Sequence, residues 1–377
     1  MTSIHPITKK TDSEMISDAT ATVATAVATA TTAATTTCPR RGLANIGNTC
    51  YLNSAFQALR YSKPFAAYFG SDAWRTHRHP DRNGYALAEE TATLLTALAD
   101  TDSTARMVVP SKFVREFVRF AGEINDDIRF GAQADAAEAI QILLDGLHTQ
   151  QAREVSMKIR GDAKTPEAAE YIKSLESWAS FYYKEYSPIA ENFYGQTRTR
   201  IVCACGESSA RYEPWGVFKA PIPGAEKAGA PAPTLQACIA AALEAETLDD
   251  YTCDKCNKKG SSRMSRTISR FPSHMVLCLK RFTNTGAKVR ARIPYDPDIV
   301  DLSEWLAWPT LQPTRDARYR VYATVEHMGS SRFGHYVMRA REGTADTWLV
   351  YDDGNCSVSS IGGAAGPDTY ILFLERI

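Results

Sequence analysis

The stretch Gly42-Leu43-Ala44-Asn45-Ile46-Gly47-Asn48-Thr49-Cys50-Tyr51-Leu52-Asn53-Ser54 decides how this chain is read. A polar loop carrying two glycines runs straight into a helix. From Tyr51 onward Leu52, Phe56 and Leu59 recur at helical spacing and give that helix a core-directed face. Asn48 or Thr49 is placed to cap it, because either side chain can accept from a free amide of the first turn. Cys50 then falls in the first turn, where unpaired N–H groups and the helix dipole favour negative charge. A thiol there is expected to have a lowered pKa and to supply nucleophilic thiolate. A lone cysteine is more often a small buried residue. The Gly-Asn-Thr approach and a histidine-bearing segment far downstream turn the reading toward catalysis.

A cysteine nucleophile needs a base to take its proton and a third group to orient that base. Of the seven histidines, His5 lies in an N-terminal tail, His77 and His79 in a polar loop, His148 at a helix end and His274 close to a proline. His327 and His335 remain, both in the strand-rich C-terminal region. His335 sits in Gly334-His335-Tyr336-Val337, after the flexible loop Met328–Phe333. A strand follows, then a polar turn (Arg341 to Thr347), then Trp348-Leu349-Val350-Tyr351-Asp352-Asp353-Gly354. A hairpin turning about Gly343-Thr344 sets His335 opposite Asp352, with Cβ atoms about 5 Å apart. Asp353 then points to the other face, and a one-residue slip would exchange the two. Asp352 is therefore the expected orienter of His335.

Two further cysteine pairs, Cys203-Ala204-Cys205-Gly206 and Cys253-Asp254-Lys255-Cys256, lie about fifty residues apart. Paired cysteines on tight turns supply four thiolates for a tetrahedral zinc. Cys38, Cys238, Cys278 and Cys356 read as structural or incidental.

The Gly42–Ser54 stretch resembles the cysteine box of the ubiquitin-specific protease (USP) family, a papain-like group of cysteine peptidases that act as deubiquitinases. Further similarities follow in order to the C-terminus. Gln133-Ala134-Asp135-Ala136-Ala137-Glu138-Ala139 resembles the family's Gln-Asp-Ala-x-Glu-Phe segment, with Ala139 in place of the aromatic. Asp135, at the start of that helix, reads as its cap. The block around Gly334-His335-Tyr336-Val337 and Asp352-Asp353 resembles the histidine box. The resemblance implies Cys50 as nucleophile, His335 as general base and later acid, Asp352 as orienter, Asp353 as an auxiliary and Asn45 as the oxyanion-stabilising amide. It implies a structural zinc on Cys203, Cys205, Cys253 and Cys256. The family's pairs are both Cys-x-x-Cys, whereas the first pair here is Cys-x-Cys, with Val202 where a ligand is expected. No cofactor is implied for catalysis. The implied partners are ubiquitin and ubiquitinated proteins, met by a monomer, with hydrolysis after ubiquitin's C-terminal glycine through an acyl-enzyme thioester. The competing readings are an inactive ubiquitin-binding module, a protease for a ubiquitin-like modifier and a general papain-like protease. The intact Cys50, His335, Asp352 and Asn45 argue against the first, and the inserted cysteine pairs against the last.

The rest of the chain fits an α+β domain. Apolar stripes at helical spacing occupy residues 50–150: Ala86–Ala99, a segment opening at Pro110-Ser111 with Phe113, Phe117 and Phe120, and a helix burying Ile140, Leu143, Leu144 and Leu147. Short strand-like runs dominate later: Thr197–Cys203, Ala210–Lys219, Met275–Phe282, Tyr319–His327, His335–Ala340, Trp348–Tyr351 and Tyr370–Leu374. Helices followed by strands, rather than alternation, point to α+β. In the family's terms residues 39–377 form the catalytic domain, with a helical thumb over about 42–185 and β-rich fingers and palm over about 186–377. Pro221–Pro233 reads as a flexible loop, and a short helix is expected around Leu235–Ala245. Residues 1–38 are expected to be a disordered tail, since nearly every residue from Asp18 to Thr37 is Ala, Thr or Val. Arginine is scarce there, which speaks against a transit peptide. Net charge is zero, so neither nucleic acid nor a membrane surface is an expected partner. No run of about 18 apolar residues exists to span a bilayer. Nine cysteines without a disulfide framework suit a reducing compartment, cytoplasm and/or nucleus.

Overall fold

The apolar stripes of the first half become the inner faces of a helical layer. The computed structural model describes residues 3–7, 40–77, 86–160, 163–224, 232–283, 285–312, 314–331, 333–343, 347–359 and 366–377. Its helices are α1 (Cys50–Arg60), α2 (Lys63–Phe69), α3 (Ala73–Thr76), α4 (Leu87–Ala99), α5 (Ser111–Ala121), α6 (Ala136–Gln151), α7 (Pro166–Tyr182), α8 (Pro188–Phe193) and α9 (Leu235–Ala242). α1 is enclosed all round: Leu52, Ala55, Phe56 and Leu59 are fully buried, and so nearly are Asn53 and Gln57. Those two amides are not stranded. Gln57 donates to the Arg41 carbonyl, and Asn53 to the carbonyls of Leu43 and Ala44. A polar pair on a buried helix thus stitches down the loop that precedes it. α6 carries Ile140, Leu143, Leu144 and Leu147 inward at full burial, and the Asp135 carboxylate caps it by accepting from the amides of Ala137 and Glu138.

The strands are β1 (Ser3–Ile7), β2 (Gly42–Leu43), β3 (Met107–Val108), β4 (Ser156–Arg160), β5 (Gly195–Cys203), β6 (Ser208–Trp215), β7 (Val217–Pro221), β8 (Glu246–Leu248), β9 (Ser262–Arg270), β10 (His274–Lys280), β11 (Val300–Asp301), β12 (Arg318–Gly329), β13 (Gly334–Arg341), β14 (Trp348–Asp352), β15 (Asn355–Ser359) and β16 (Thr369–Arg376). The large sheet runs β15-β14-β13-β12-β16-β10-β7, with β11 beside β12. All its pairs are antiparallel except β7 on β10. A second sheet, β6-β5-β9-β8, projects the Cys203 turn at its end.

Period-two alternation sends the two faces of the large sheet into different cores. Ile371 and Phe373 of β16 join the cluster built with α1 and α6, whereas Leu372 and Leu374 join the one built with α9. With both faces covered, the closing strand is apolar at every position from Tyr370 to Leu374. This is the mixed helix-and-sheet architecture that the order of apolar patterns implied.

Three details depart from the expectations. Within the tail expected to be disordered over 1–38, Ser3–Ile7 forms β1 and pairs antiparallel with β4. The free edge of β4 offers unpaired N–H and C=O groups, which a passing chain segment satisfies whatever its composition. The Ala/Thr-rich tract lies outside the described residues, as does most of the loop expected over Pro221–Pro233. The single strand expected over Ala210–Lys219 is two strands in two sheets, broken at Gly216, where the Val217 amide donates to the Gln141 side chain. Finally, α7 was not anticipated. Its signal is local: Thr165 caps it by accepting from the Ala168 amide, and Pro166 occupies its first turn.

Candidate active site

Cys50 opens α1 and lies at the junction of the helical layer with β13. Its approach loop turns back on itself through Gly47 and Asn48, both with positive φ (117° and 56°). The helix is not capped by a side chain, contrary to the expectation for Asn48 or Thr49. Instead the Thr49 carbonyl receives the Leu52 and Asn53 amides, the Thr49 hydroxyl accepts from the Ile46 amide, and the Asn48 side chain donates to the Gly131 carbonyl. The free first-turn amides are left to the sulfur. Backbone N–H groups of Tyr336, Tyr51 and Cys50 itself pull the thiol pKa down, but they do not prevail. Burial, first, and the Asp353 charge push it above the ordinary thiol value, so the lowered pKa expected from helix position alone is not met in this state.

His335 stands on β13, half-exposed, and its Nε2 lies 2.7 Å from Asp352 Oδ1. That bond leaves Nδ1 as the nitrogen available to a thiol proton, and Nδ1 has no hydrogen-bond partner among the described residues. The pairing geometry differs from the hairpin as read. Met338 pairs with Tyr351 and Arg341 with Trp348, so the ladder is shifted by two residues and ends before His335. A shift of two keeps the face, whereas a shift of one would have inverted it. Asp352 therefore reaches His335 diagonally rather than from directly opposite.

Asp353 behaves differently from an auxiliary on the far face. It occupies the two-residue turn between β14 and β15 with φ 47°, outside regular strand alternation. Its carboxylate accepts from Asn45 Nδ2 (2.9 Å) and from Asn53 Nδ2 (2.8 Å), and its carbonyl accepts from the Leu43 amide. Gly42 makes this docking possible: a Cβ there would lie 2.3 Å from the Gly354 carbonyl carbon. Asn45 is exposed and its orientation is fixed. Its Oδ1 accepts from the amides of Gly47 and Thr49, which fixes Nδ2 as the donor face, and one of its two N–H bonds goes to Asp353. The other is free to donate to an oxyanion. Asn53 was not singled out from the sequence. A polar residue one helical turn after Cys50, on a helix otherwise buried, was the signal available.

His327, the other C-terminal histidine, is buried against Tyr336, Phe282 and Tyr370. Burial and the nearby Lys288 lower its pKa to about 4, which makes it a neutral packing group rather than a base.

The four cysteines Cys203, Cys205, Cys253 and Cys256 converge at the end of the second sheet, with their sulfurs all within 4.8 Å of one another. Cys203 and Cys256 are 3.7 Å apart, and Cys205 and Cys253 are 3.8 Å apart. A disulfide requires about 2.05 Å. Four sulfurs at about 2.3 Å from a tetrahedral zinc are separated by about 3.8 Å. The donor set thus fits a tetrahedral ion, and the short Cys-x-Cys spacing is no obstacle. Gly206, at φ 87°, closes a turn in which its amide donates to the Cys203 carbonyl, bringing both sulfurs to one side. The Cys205 amide and the Ser261 hydroxyl lower the Cys203 thiol to about 5, so a ligand thiolate is favoured there.

The family description "Ubiquitin carboxyl-terminal hydrolase" matches residues 41–374. Ubiquitin carboxyl-terminal hydrolase 2 of Bos taurus is 30% identical over 342 residues, covering 89% of this chain and 54% of its own length. Ubiquitin carboxyl-terminal hydrolase 4 of Saccharomyces cerevisiae is 26% identical over 367 residues, covering 89% of this chain and 39% of its own. The chain thus spans about half or less of these curated relatives. Among solved structures, a chain of the SAGA DUB module bound to monoubiquitin superposes with a TM-score of 0.69 at 21% identity, covering 92% of this chain and 71% of that one, which shows a shared fold.

Proposed function

The chain belongs to the family of ubiquitin carboxyl-terminal hydrolases, and from that premise we propose that it is a thiol-dependent deubiquitinase. It hydrolyses isopeptide, peptide or ester bonds after the C-terminal glycine of ubiquitin. The observation that carries this reading is the convergence of Cys50, the His335–Asp352 pair and the Asp353-held Asn45 amide where the start of α1 meets β13 and the β14–β15 turn.

The chemistry follows from the residues. Substrate entry brings the scissile carbonyl against Cys50 Sγ, and His335 Nδ1 takes the thiol proton as the sulfur attacks. A buried thiol held protonated until a base reaches it is protected from idle side reactions. Asp352 at Nε2 fixes the ring tautomer and stabilises the imidazolium that forms. The carbonyl oxygen gains negative charge and is met by the free N–H of Asn45, with first-turn amides of α1 beside it. His335 then gives its proton to the leaving amine. Water, deprotonated by the same ring, releases the ubiquitin carboxylate from the thioester and restores the thiol.

We also propose a structural zinc on Cys203, Cys205, Cys253 and Cys256, which supplies tetrahedral cross-linking of two turns and takes no part in the reaction. Ubiquitin and ubiquitinated proteins are the proposed partners, engaged by a monomer in a reducing compartment. No described helix is long and apolar enough to cross a membrane. The test of the activity is incubation with ubiquitin bearing a C-terminal electrophile. A stable adduct on Cys50 is expected, and absence of any adduct with properly folded protein overturns the reading.

A further inference from the structure

The catalytic histidine stands where its sheet is weakest. β13 pairs with β12 from Ala340 down to Gly334 opposite Gly329. On its other edge the ladder to β14 begins only at Met338. From Gly334 to Val337 that edge has no strand neighbour among the described residues, although it carries His335. Two groups meet it: the Tyr336 amide is aimed at the Cys50 sulfur, and Gln133 takes both backbone groups of Gly334. The Gln133 side chain donates from Nε2 to the Gly334 carbonyl (3.0 Å) and accepts the Gly334 amide at Oε1 (3.2 Å). A single primary amide thereby supplies both hydrogen bonds that a neighbouring strand residue would make.

Gly334 is also gripped from beneath. A Cβ at this position would lie 2.0 Å from His327 Nε2, so the buried His327 ring packs directly on the glycine. The segment holding Gln133 is in turn tied to the cysteine loop, where Asn48 Nδ2 donates to the Gly131 carbonyl at 2.6 Å. Residues 131–133 therefore form a short strut. One end holds the loop two residues before Cys50, and the other holds the residue immediately before His335.

We propose that Gln133 is a positioning residue for the base: its amide closes the open edge of β13 at Gly334 and, through the strut, fixes the spacing between Cys50 and His335. The assignment rests on the cysteine-hydrolase reading above. The physical demand is plain. Proton transfer from thiol to imidazole requires hydrogen-bond reach, and a displacement of about 1 Å costs about 10²-fold in rate. His335 is otherwise held at its ring by Asp352 alone among the described residues. Gln133 is exposed, so nothing in the core depends on its side chain.

The test uses the full chain with two substitutions. Gln133→Ala removes the side chain, and Gln133→Met keeps its length without either hydrogen bond. Two readouts are taken: kcat and KM for a ubiquitin C-terminal fluorogenic amide, and the rate of Cys50 alkylation by iodoacetamide across pH without ubiquitin. In both variants kcat is expected to fall about 10- to 100-fold, with KM within about threefold of the native value and melting temperature unchanged. The histidine-dependent limb of the alkylation profile is expected to shift or vanish. Restoration of native kcat by Gln133→Met overturns the assignment, because packing and not hydrogen bonding would then matter. A rise in KM with kcat preserved also overturns it, since the residue would then read substrate. An unchanged alkylation profile accompanied by lower melting temperature marks a purely structural residue and overturns it too. If the native protein neither hydrolyses the substrate nor shows a histidine-dependent limb, the cysteine-hydrolase reading fails, and this assignment with it.

Discussion

The chain uses cysteine in two places under opposite conditions. Cys50 is a single thiol, 3% exposed, at the start of a helix, and burial holds its pKa above the ordinary value despite three backbone amides aimed at the sulfur. The Cys203 cluster is four thiols at the end of a projecting sheet, with one sulfur pulled down to about 5 and its neighbour Cys205 pushed up to about 11. A nucleophile that works through a base is kept protonated until the base is in place. A metal-binding set needs thiolates at rest, and close sulfurs resist joint ionisation until a cation compensates them. Position near backbone amides is common to both sites. What separates them is whether the compensating charge arrives as a proton acceptor or as an ion.

The sharpest way to break this comparison is to remove one site and examine the other. Cys50→Ala is expected to lower ubiquitin hydrolysis by more than about 10⁴-fold, since removing the nucleophile of a triad leaves only residual catalysis. Melting temperature and bound metal should stay as in the native protein. Measured turnover above that level would remove Cys50 from the chemistry.

The two aspartates come next, and the structure ranks them. Asp353 holds both Asn45 and Asn53, so Asp353→Ala frees the oxyanion donor and takes from the buried Asn53 amide its nearest acceptor, leaving it the longer bonds to the Leu43 and Ala44 carbonyls. A loss of about 10²–10³ in kcat is expected, the usual scale for an oxyanion donor. Asp352→Asn keeps a hydrogen bond to the ring but removes the charge that stabilises imidazolium, and about 10- to 100-fold is expected. Steady-state kinetics on both variants decide it. The reverse order would mean that Asn45 is held well enough by its own loop.

The sequence pointed to the candidate reactive groups, and their mutual arrangement was legible only in part. Cys50, His335, Asp352 and the four clustered cysteines were named from residue type and spacing, because those chemistries demand particular side chains in local patterns. Asp352 was reached through a register wrong by two residues, and it survived because an even slip preserves the face. Asp353 was assigned to the wrong face because period-two alternation was extended into a turn. Asn53 and the thiol's raised pKa depend on how much of α1 is buried, which is a tertiary fact that no window of sequence contains. The helix α7 had its local signal in Thr165-Pro166, whereas β1 had none, since its partner β4 lies about 150 residues away.

The cysteine cluster should respond to chelation in the complementary way. Protein purified without chelator is expected to hold about one zinc per chain. Removing it should lower the melting temperature by several degrees and slow ubiquitin hydrolysis far less than Cys50→Ala does. Metal analysis with thermal melts checks both. Protein that is metal-free as purified, and equally stable after chelation, would leave the four sulfurs without a structural role.

The smallest expected effect separates acid-induced metal loss from acid unfolding. Thiolate ligands compete with protons, so a falling pH releases zinc and mimics chelation. A second acid sensitivity lies at the start of β10, outside both cysteine sites. His274 is 8% exposed, its Nε2 has no hydrogen-bond partner among the described residues, and burial foremost, with Arg376 and Lys63 acting against Glu375, lowers its pKa to about 4. The unfolded chain titrates this group near 6.5, so between pH 6.5 and 4 the unfolded state binds the extra proton. Stability is therefore greatest above pH 6.5 and falls as pH drops through that window, by up to about 1.4 kcal/mol per unit for this histidine. His327, lowered to about 4 as well, acts in the same direction. Chelated protein melted from pH 7.5 to 4.5 isolates this contribution, because its metal is already gone. His274→Phe should flatten part of the slope. A chelated protein whose melting temperature is independent of pH across the window would assign all acid lability to the cysteine cluster and none to the buried histidines.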